Sequence, residues 1–417
     1  MTAAEPPAKP KPRAAFAFIL VSVALATLAS SIIGPVLPQL LKTLTHGSMS
    51  RMSEALGALI VLFAVMQFFA GPVQGALSDR YGRRPVILVA NFGLAIDYVI
   101  MALAPNLAWL FVGRAVTGAT AGSITAAYAY VADVTEPDQR AARFGQVASA
   151  ISAGAAAGPL LGGLLGEFNP RAPFWAAAVL SVLCGLYGVF VLPESLAPED
   201  RAPLKFHAMH PIGAVTSIWR DYPVLIGWQS AMFIMAFGYM GVNSIFLLYV
   251  TYRFGWTPQN IGLYTTFIVL TGLGVQAGLV GRTVKLLGER ATLLTGMTVE
   301  IIAIVAAGFA VTGLQFSAAI FVLMLSNVAE PARTAIMNRI IGPSDRGRLS
   351  GASRSIASLT GILAPLPFAL IFAGVSHAKD PRAVSVGLPF FISAAILAAA
   401  FAVTLRALRR SPVAASA

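Results

Sequence analysis

Apolar runs of about twenty residues or more recur along the whole chain, separated by short polar segments. They fall at roughly 14–41, 54–77, 85–104, 108–131, 143–166, 171–191, 222–250, 258–280, 291–312, 315–340, 350–373 and 384–406. A bilayer core of about 30 Å needs about 20 apolar residues per helix. The pattern therefore predicts an all-α membrane protein with 12 transmembrane helices. Proline and glycine inside many of the runs agree with this, because membrane helices tolerate them. The longest polar connection, 192–221, divides the runs six and six. GALSDRYGRR at 75–84 follows the second run and GRTVKLLGER at 281–290 follows the eighth, so that Gly75, Gly82 and Arg84 align with Gly281, Gly288 and Arg290. Two halves with corresponding segments are a transporter signature, with the substrate path between them. The expected organisation is a tail at 1–13, a six-helix bundle at 14–191, a central loop at 192–221, a second six-helix bundle at 222–408 and a tail at 409–417.

Composition leaves lipid as the solvent. Hydrophobic residues make up 57% of the chain and charged ones 11%, against about a quarter charged in soluble domains. The net charge of +12 would suggest nucleic acid in a soluble protein, but basic residues in membrane proteins collect in cytoplasmic loops. With both termini in the cytoplasm, 21 of the 29 Lys and Arg fall in cytoplasmic tails and loops and six in outward loops. The lone Cys184 excludes a disulfide or a thiolate metal cluster within one chain. No Gly-Lys phosphate loop, metal-ligand cluster or Ser-His-Asp set is present. The chain is therefore not expected to be an enzyme, to hydrolyse ATP, or to need a metal or other cofactor. Its energy should come from an ion gradient, and mid-membrane carboxylates point to protons.

Charges inside a bilayer are costly and mark pathways. The candidates are Asp97, Arg114, Glu300, Glu330 and Arg333. At 1.5 Å per residue, Asp97 lies about 18 Å above the cytoplasmic end of its run and Arg114 about 21 Å up the next one, so the two can pair. Glu300 lies about 14 Å up the ninth run. No base is near it in sequence, so burial favours its neutral form. Glu330 and Arg333 are one turn apart and can pair locally. In the loop at 75–84, Asp79 can favour a helix N-terminus, and Arg83 has a plausible partner in Asp133 at the cytoplasmic end of the fourth run. In the fifth run, Gly154, Gly158, Gly162 and Gly163 allow close helix packing, and Pro159 bends the helix. Polar groups that could line a cavity include Gln67, Tyr98, Tyr128, Gln229, Asn243 and Asn327, although interhelical contacts would use the same residue types.

The order G-A-L-S-D-R-Y-G-R-R between runs two and three resembles the signature loop of the major facilitator superfamily. Gly34-Pro-Val-Leu-Pro, Met66-Gln67, Ile96-Asp97-Tyr98, Gly113-Arg114, Ala132-Asp133 with Gln139-Arg140, GPLLGGLLGEFNPRAP at 158–173 and Arg253-Phe-Gly-Trp256 are similar to the drug/proton antiporters of that superfamily, and most of all to the tetracycline/proton antiporters. The resemblance implies two pseudo-symmetric six-helix halves in a bacterial inner membrane, probing no nucleic acid and working as a monomer. It implies proton-coupled efflux of small amphipathic drugs by alternating access, tetracycline among them, and such a drug could carry a metal. The alternative activity is proton-linked uptake or export of a metabolite or nutrient. The candidates for proton coupling are Asp97, Arg114, Glu300 and Glu330; the resemblance supports Asp97 and Glu300, which match acids the family carries there, and for Glu330 with Arg333 a structural bridge is the alternative. Gly75, Asp79, Arg80, Gly82, Arg83, Arg84 and Asp133 form a cytoplasmic gate, whose ion pairs lock the outward-facing state and break when the cytoplasmic side opens. The glycines and proline at 154–163 mark an antiporter. Runs one, four, seven and ten stand nearest the lumen, which favours Tyr128, Gln229, Asn243 and Asn327 as cavity residues. The sequence departs from the tetracycline pattern in two places: Ala26 stands where those relatives carry an aspartate, and Gly272 where they carry a histidine.

Overall fold

The computed structural model describes residues 12–120, 122–201, 213–342, 345–377 and 380–410. Among these residues twelve helical spans are long and apolar enough to cross a membrane: Phe16–Leu44, Met49–Tyr81, Arg83–Leu103, Leu107–Val134, Arg140–Phe168, Ala172–Val191, Leu225–Phe254, Pro258–Gly278, Val280–Phe309, Gly313–Ile340, Arg346–Val375 and Val384–Arg410. No strand occurs among the described residues. Several spans run past the apolar stretches into the loops, because polar residues at a membrane surface keep helical hydrogen bonds. The first helix already includes Pro12 and Arg13, and the last includes Arg409 and Arg410. The rest of the two expected tails lies outside the described residues, as do His207 and His210. The central connection at 192–221 is not wholly a loop, since Gly213–Asp221 forms a helix.

Among the described residues several spans are interrupted, span 9 by a kink at Gly288 and four others by breaks. Span 1 breaks at the 3-10 turn Gly34–Val36, span 4 between Thr120 and Ser123, span 10 at the 3-10 turn Ser326–Val328, and span 11 between Leu363 and Pro365. Broken backbone inside a membrane is tolerated where it is buried in protein or lines a cavity. For orientation, the face carrying the 75–84 and 281–290 segments is here named the basic face.

Within the first half, span 5 lies along span 1. A Cβ added at Gly154 would come 2.9 Å from the amide nitrogen of Leu28, and one at Gly158 would come 2.7 Å from the Leu28 carbonyl oxygen. Only glycine allows two helices to approach this closely. The other side of span 5 meets span 8 of the second half, where a Cβ at Gly163 would lie 2.6 Å from the carbonyl oxygen of Pro258. Span 2 meets span 11 in the same manner: Ser53 Oγ donates to the carbonyl of Ala369 at 2.7 Å, and a Cβ at Gly57 would come 2.5 Å from that of Ala369. The Gln259 amide donates to Glu167 at 3.2 Å, and midway along, Thr266 donates to the Ala156 carbonyl at 2.8 Å.

These junctions lie in the middle and on the face opposite the basic one. There the halves are joined by backbone-close packing, and a shared apolar core runs through both. No ion pair joins the two halves among the described residues. On the basic face one cavity separates them instead, and a second opens within the second half.

Candidate functional site

The first cavity, of about 500 Å³, lies between spans 2 and 4 of one half and span 11 of the other; Gln67, Gly75, Asp79 and Arg83 face Arg354 and Ser358 across it. The second, of about 470 Å³, lies inside the second half and is lined by Glu330 and Arg333 of span 10 together with Arg346, Ser350 and Arg354 of span 11. Arg354 belongs to both walls. A third space of about 260 Å³ lies deeper in the second half, where Tyr239, Asn243 and Phe246 of span 7 face Phe316 and Phe390. Cavities of this size suit drug-like ligands.

Two charged sites sit at mid-membrane. In the first half Asp97 accepts from Arg114, which also rests against the Met101 sulfur at 3.1 Å. The Asp97 side chain is 0% exposed, and Arg114 is 18% exposed. Neither lines the large basic-face cavities; Arg114 borders a small cleft of about 100 Å³ between spans 1, 2 and 3, with Phe63 beneath its guanidinium. Gly113 lets span 4 approach close enough for the contact, because a side chain there would run into the Asp97 carboxylate. The second carboxylate oxygen, Oδ1, is not taken by Arg114, and the Thr117 hydroxyl is the other polar neighbour of this carboxylate.

The second half is built differently. Glu330 pairs with Arg333 one turn away, as the spacing predicts, but the glutamate side chain is 59% exposed and stands in the cavity. Arg333 is itself buried and touches the Met235 sulfur at 3.5 Å. Glu300 has a base near it after all: span 10 brings Arg333 within electrostatic reach, a neighbour the local sequence did not reveal.

At the basic face, the 75–84 segment ends span 2 at Gly82, whose φ of 107° belongs to the region that favours glycine. Arg83 Nε donates to Asp133 at 3.1 Å and its Nη1 donates to Asp79. Arg80 stacks over the Tyr81 ring, 5.6 Å from its centroid, and Arg84 donates to the Val189 carbonyl at 2.6 Å. Sequence reasoning missed the residue that ties this cluster together. Glu194, in the Pro-Glu-Ser run after span 6, accepts from the amides of Arg83 at 2.8 Å and Arg84 at 3.2 Å, and so caps the start of span 3. Its neighbour Ser195 donates to Asp133 at 3.0 Å. The available signal was a helix beginning at Arg83 with no acidic residue in its own first turn.

Arg83 and Asp133 are paired beside the cavity. Both belong to the first half, so parting the halves does not pull them apart. The repeat at 281–290 carries a simpler version. Gly288 also has positive φ, at 77°, but a Cβ there would meet open space, and Glu289 pairs with Arg339 at 2.6 Å.

The family model described as Major Facilitator Superfamily matches residues 19–278 and 230–417. The chain belongs to this superfamily. Among its relatives is the tetracycline resistance protein, class C, of Escherichia coli, 34% identical over 94% of this chain and 96% of that one. The class G tetracycline resistance protein of Vibrio anguillarum is 32% identical over 93% and 98%, and multidrug resistance protein 2 of Bacillus subtilis is 30% identical over 86% and 88%. Among solved structures, a bacterial homolog of the human lysosomal transporter Spinster, described as inward-facing and occupied, superposes with a TM-score of 0.77 at 16% identity, covering 97% of this chain and 98% of that one.

The facilitator's candidate cavity residues divide sharply. Gln67 and Asn243 face cavities. Four others do not. Tyr98 is sealed in the core and donates to Ser30 at 3.3 Å. Tyr128 turns away from the cavity and packs edge-on against Phe144, 5.5 Å between ring centres. Gln229 is buried and accepts from the Trp219 indole of the linker helix. Asn327 sits in the break of span 10, with its amide 3.8 Å from the Met324 sulfur. Tyr98, Tyr128 and Gln229 make contacts between helices, the alternative use of such residues in a membrane bundle, whereas Asn327 contacts its own span. In the glycine pattern of span 5, Gly154, Gly158 and Gly162 face span 1, while Gly163 faces span 8 across the junction of the halves. Among the described residues, no group of three or more His, Cys, Asp or Glu could hold a metal ion.

Proposed function

We propose that this facilitator exports small amphipathic drugs from the bacterial cytoplasm across the inner membrane in exchange for protons. The observation that carries the reading is the buried Asp97–Arg114 pair, in a chain 34% identical to a tetracycline resistance protein along nearly its whole length. The basic face is then the cytoplasmic face, and the conformation described above is inward-facing, open to a drug arriving from inside.

Alternating access follows from the junctions. The halves rock about the spans 5 and 8 contact and the spans 2 and 11 contact. Closing the basic face brings Asp79 and Arg83 toward span 11, while the close packing at Gly57 and Gly163 separates to open the other side. Arg114 borders the small cleft that lies toward the closed face, so that opening exposes the pair to outside protons. A proton reaching the Asp97 oxygen that Arg114 does not hold neutralises the carboxylate and releases Arg114. Return to the inward-facing state re-forms the pair and discharges the proton to the cytoplasm. No nucleotide or metal takes part, and one chain suffices.

The test is drug-triggered proton movement. Proteoliposomes carrying an imposed proton gradient and an internal pH dye are given tetracycline, and then other amphipathic drugs. Proton flux that starts on drug addition supports exchange. A protein that moves drug down its own gradient, with no accompanying proton flux, would show that the energy source is wrong.

A further inference from the structure

The cavities on the basic face hold more arginine than carboxylate. Asp79 is paired with Arg83 and Glu330 with Arg333. Asp345 and Asp221, beside the start of span 11, are both taken by Arg348, and Tyr222 donates to Asp345 as well, at 2.7 Å. Arg346 and Arg354 also line the second cavity, and neither makes an ion pair with any described carboxylate. Two positive charges are therefore uncompensated in one pocket wall. Loop arginines that set topology are common on this face, but Arg354 is not a loop residue. It lies about 12 Å along the helix that begins at Arg346, in the wall shared by both cavities.

Other features of that wall favour the same kind of guest. The hydroxyls of Ser350 and Ser353 stand on the Arg354 side and can donate, and the helix presents its positive N-terminal end beside Arg346. Met232 of span 7, Met337 of span 10 and Leu349 of the same helix supply apolar lining, and methionine adapts to varied shapes. Guanidinium groups bind planar oxyanions in two-pronged fashion.

We propose that the second cavity binds amphipathic organic anions. The headgroup, a carboxylate or sulfonate, docks at Arg346 and Arg354, and the apolar body lies against the methionines and Leu349. As a statement about physiological cargo this rests on the export reading. As a statement about binding it stands on the cavity alone. A drug carrying a bound divalent metal brings positive charge to a wall that already has an excess of it, so the metal-free anionic form is the one this site selects.

Fluorescein and rhodamine 123 share a xanthene core and carry opposite charge, which makes them a matched pair of probes. Binding of each to the purified full-length protein in detergent is followed by fluorescence polarisation. Fluorescein should bind more tightly than rhodamine 123. Arg354→Gln should weaken fluorescein about tenfold, Arg354→Lys should restore part of the loss, and neither variant should weaken rhodamine 123. Tighter binding of rhodamine 123, or fluorescein binding unchanged in both Arg346→Gln and Arg354→Gln, overturns the proposal. Fluorescein binding lost equally in Arg354→Gln and Arg354→Lys, with rhodamine 123 binding lost as well, would also overturn it, since that is a structural effect. Transport in proteoliposomes separates the two readings. Proton-linked export of rhodamine 123 but not fluorescein leaves export standing and removes the anion site, whereas bound fluorescein that drives no proton flux leaves the site standing and removes export.

Discussion

The two halves carry the same kind of ion pair in opposite settings. In the first half Asp97 is sealed, Arg114 covers it, and no basic-face cavity touches either. In the second, Glu330 stands in the open cavity while only its arginine is buried. The loops differ in the same sense: Glu194 and Ser195 clamp the 75–84 segment to two neighbouring spans, whereas its repeat has one surface pair between Glu289 and Arg339. A duplicated architecture has thus been loaded unequally. A sealed acid exchanges its proton only when the halves rearrange, which is what coupling requires. An acid in an open cavity equilibrates with the near side in the conformation described and suits contact with cargo instead.

The largest effect is expected where the sealed pair is broken. Asp97→Asn keeps the size and one acceptor but cannot ionise, and drug-driven proton flux should fall by about a hundredfold or more. Gly113→Ala tests the same site sterically, since its methyl would enter the space held by the Asp97 carboxylate. Overpacking of this kind costs about 1–3 kcal/mol, and thermal unfolding in detergent should record it together with lost flux.

Next comes the clamp. Glu194→Ala leaves the start of span 3 uncapped, at a cost of about 1 kcal/mol, and should lower export severalfold as Arg83 loses its fixed position. Glu289→Ala in the repeat removes a pair whose arginine is largely exposed and should cost about 0.5 kcal/mol or less. Equal losses from the two substitutions, measured side by side, would mean that the loops are equivalent.

The smallest effect concerns the linker. The Tyr222 hydroxyl and Arg348 hold the Asp345 carboxyl below the usual aspartate range. A depressed acid stabilises the fold above its ordinary titration range, and that stability is lost as pH falls through the lowered value. Tyr222→Phe should therefore lower Tm slightly at neutral pH, with the difference from the parent vanishing under strong acid.

Much of this was legible in the sequence, and the exceptions have causes. Spans follow from apolar length, and the Asp97–Arg114 pairing follows from helix rise alone, because a rigid helix converts residue number into depth. Arg83 and Asp133 were legible since both sit at helix ends on one face. Glu194 was not, because it lies 111 residues from Arg83 in sequence and is brought there by a non-helical turn. The direction of Tyr98, Tyr128, Gln229 and Asn327 was not legible either. In a membrane bundle the lipid-facing side and the packed side are both apolar, so periodicity does not say which face a polar residue takes.

The measurement that bears most directly on the unequal halves compares Asp97→Asn with Glu330→Gln in proteoliposomes. Drug-evoked proton flux and drug flux are recorded together, after both variants are shown to fold as the parent does. The account predicts that Asp97→Asn loses proton-coupled export, while Glu330→Gln keeps coupling and changes only the drug concentration needed. Coupled export by Asp97→Asn at the parent's rate, with coupling lost in Glu330→Gln, would contradict it.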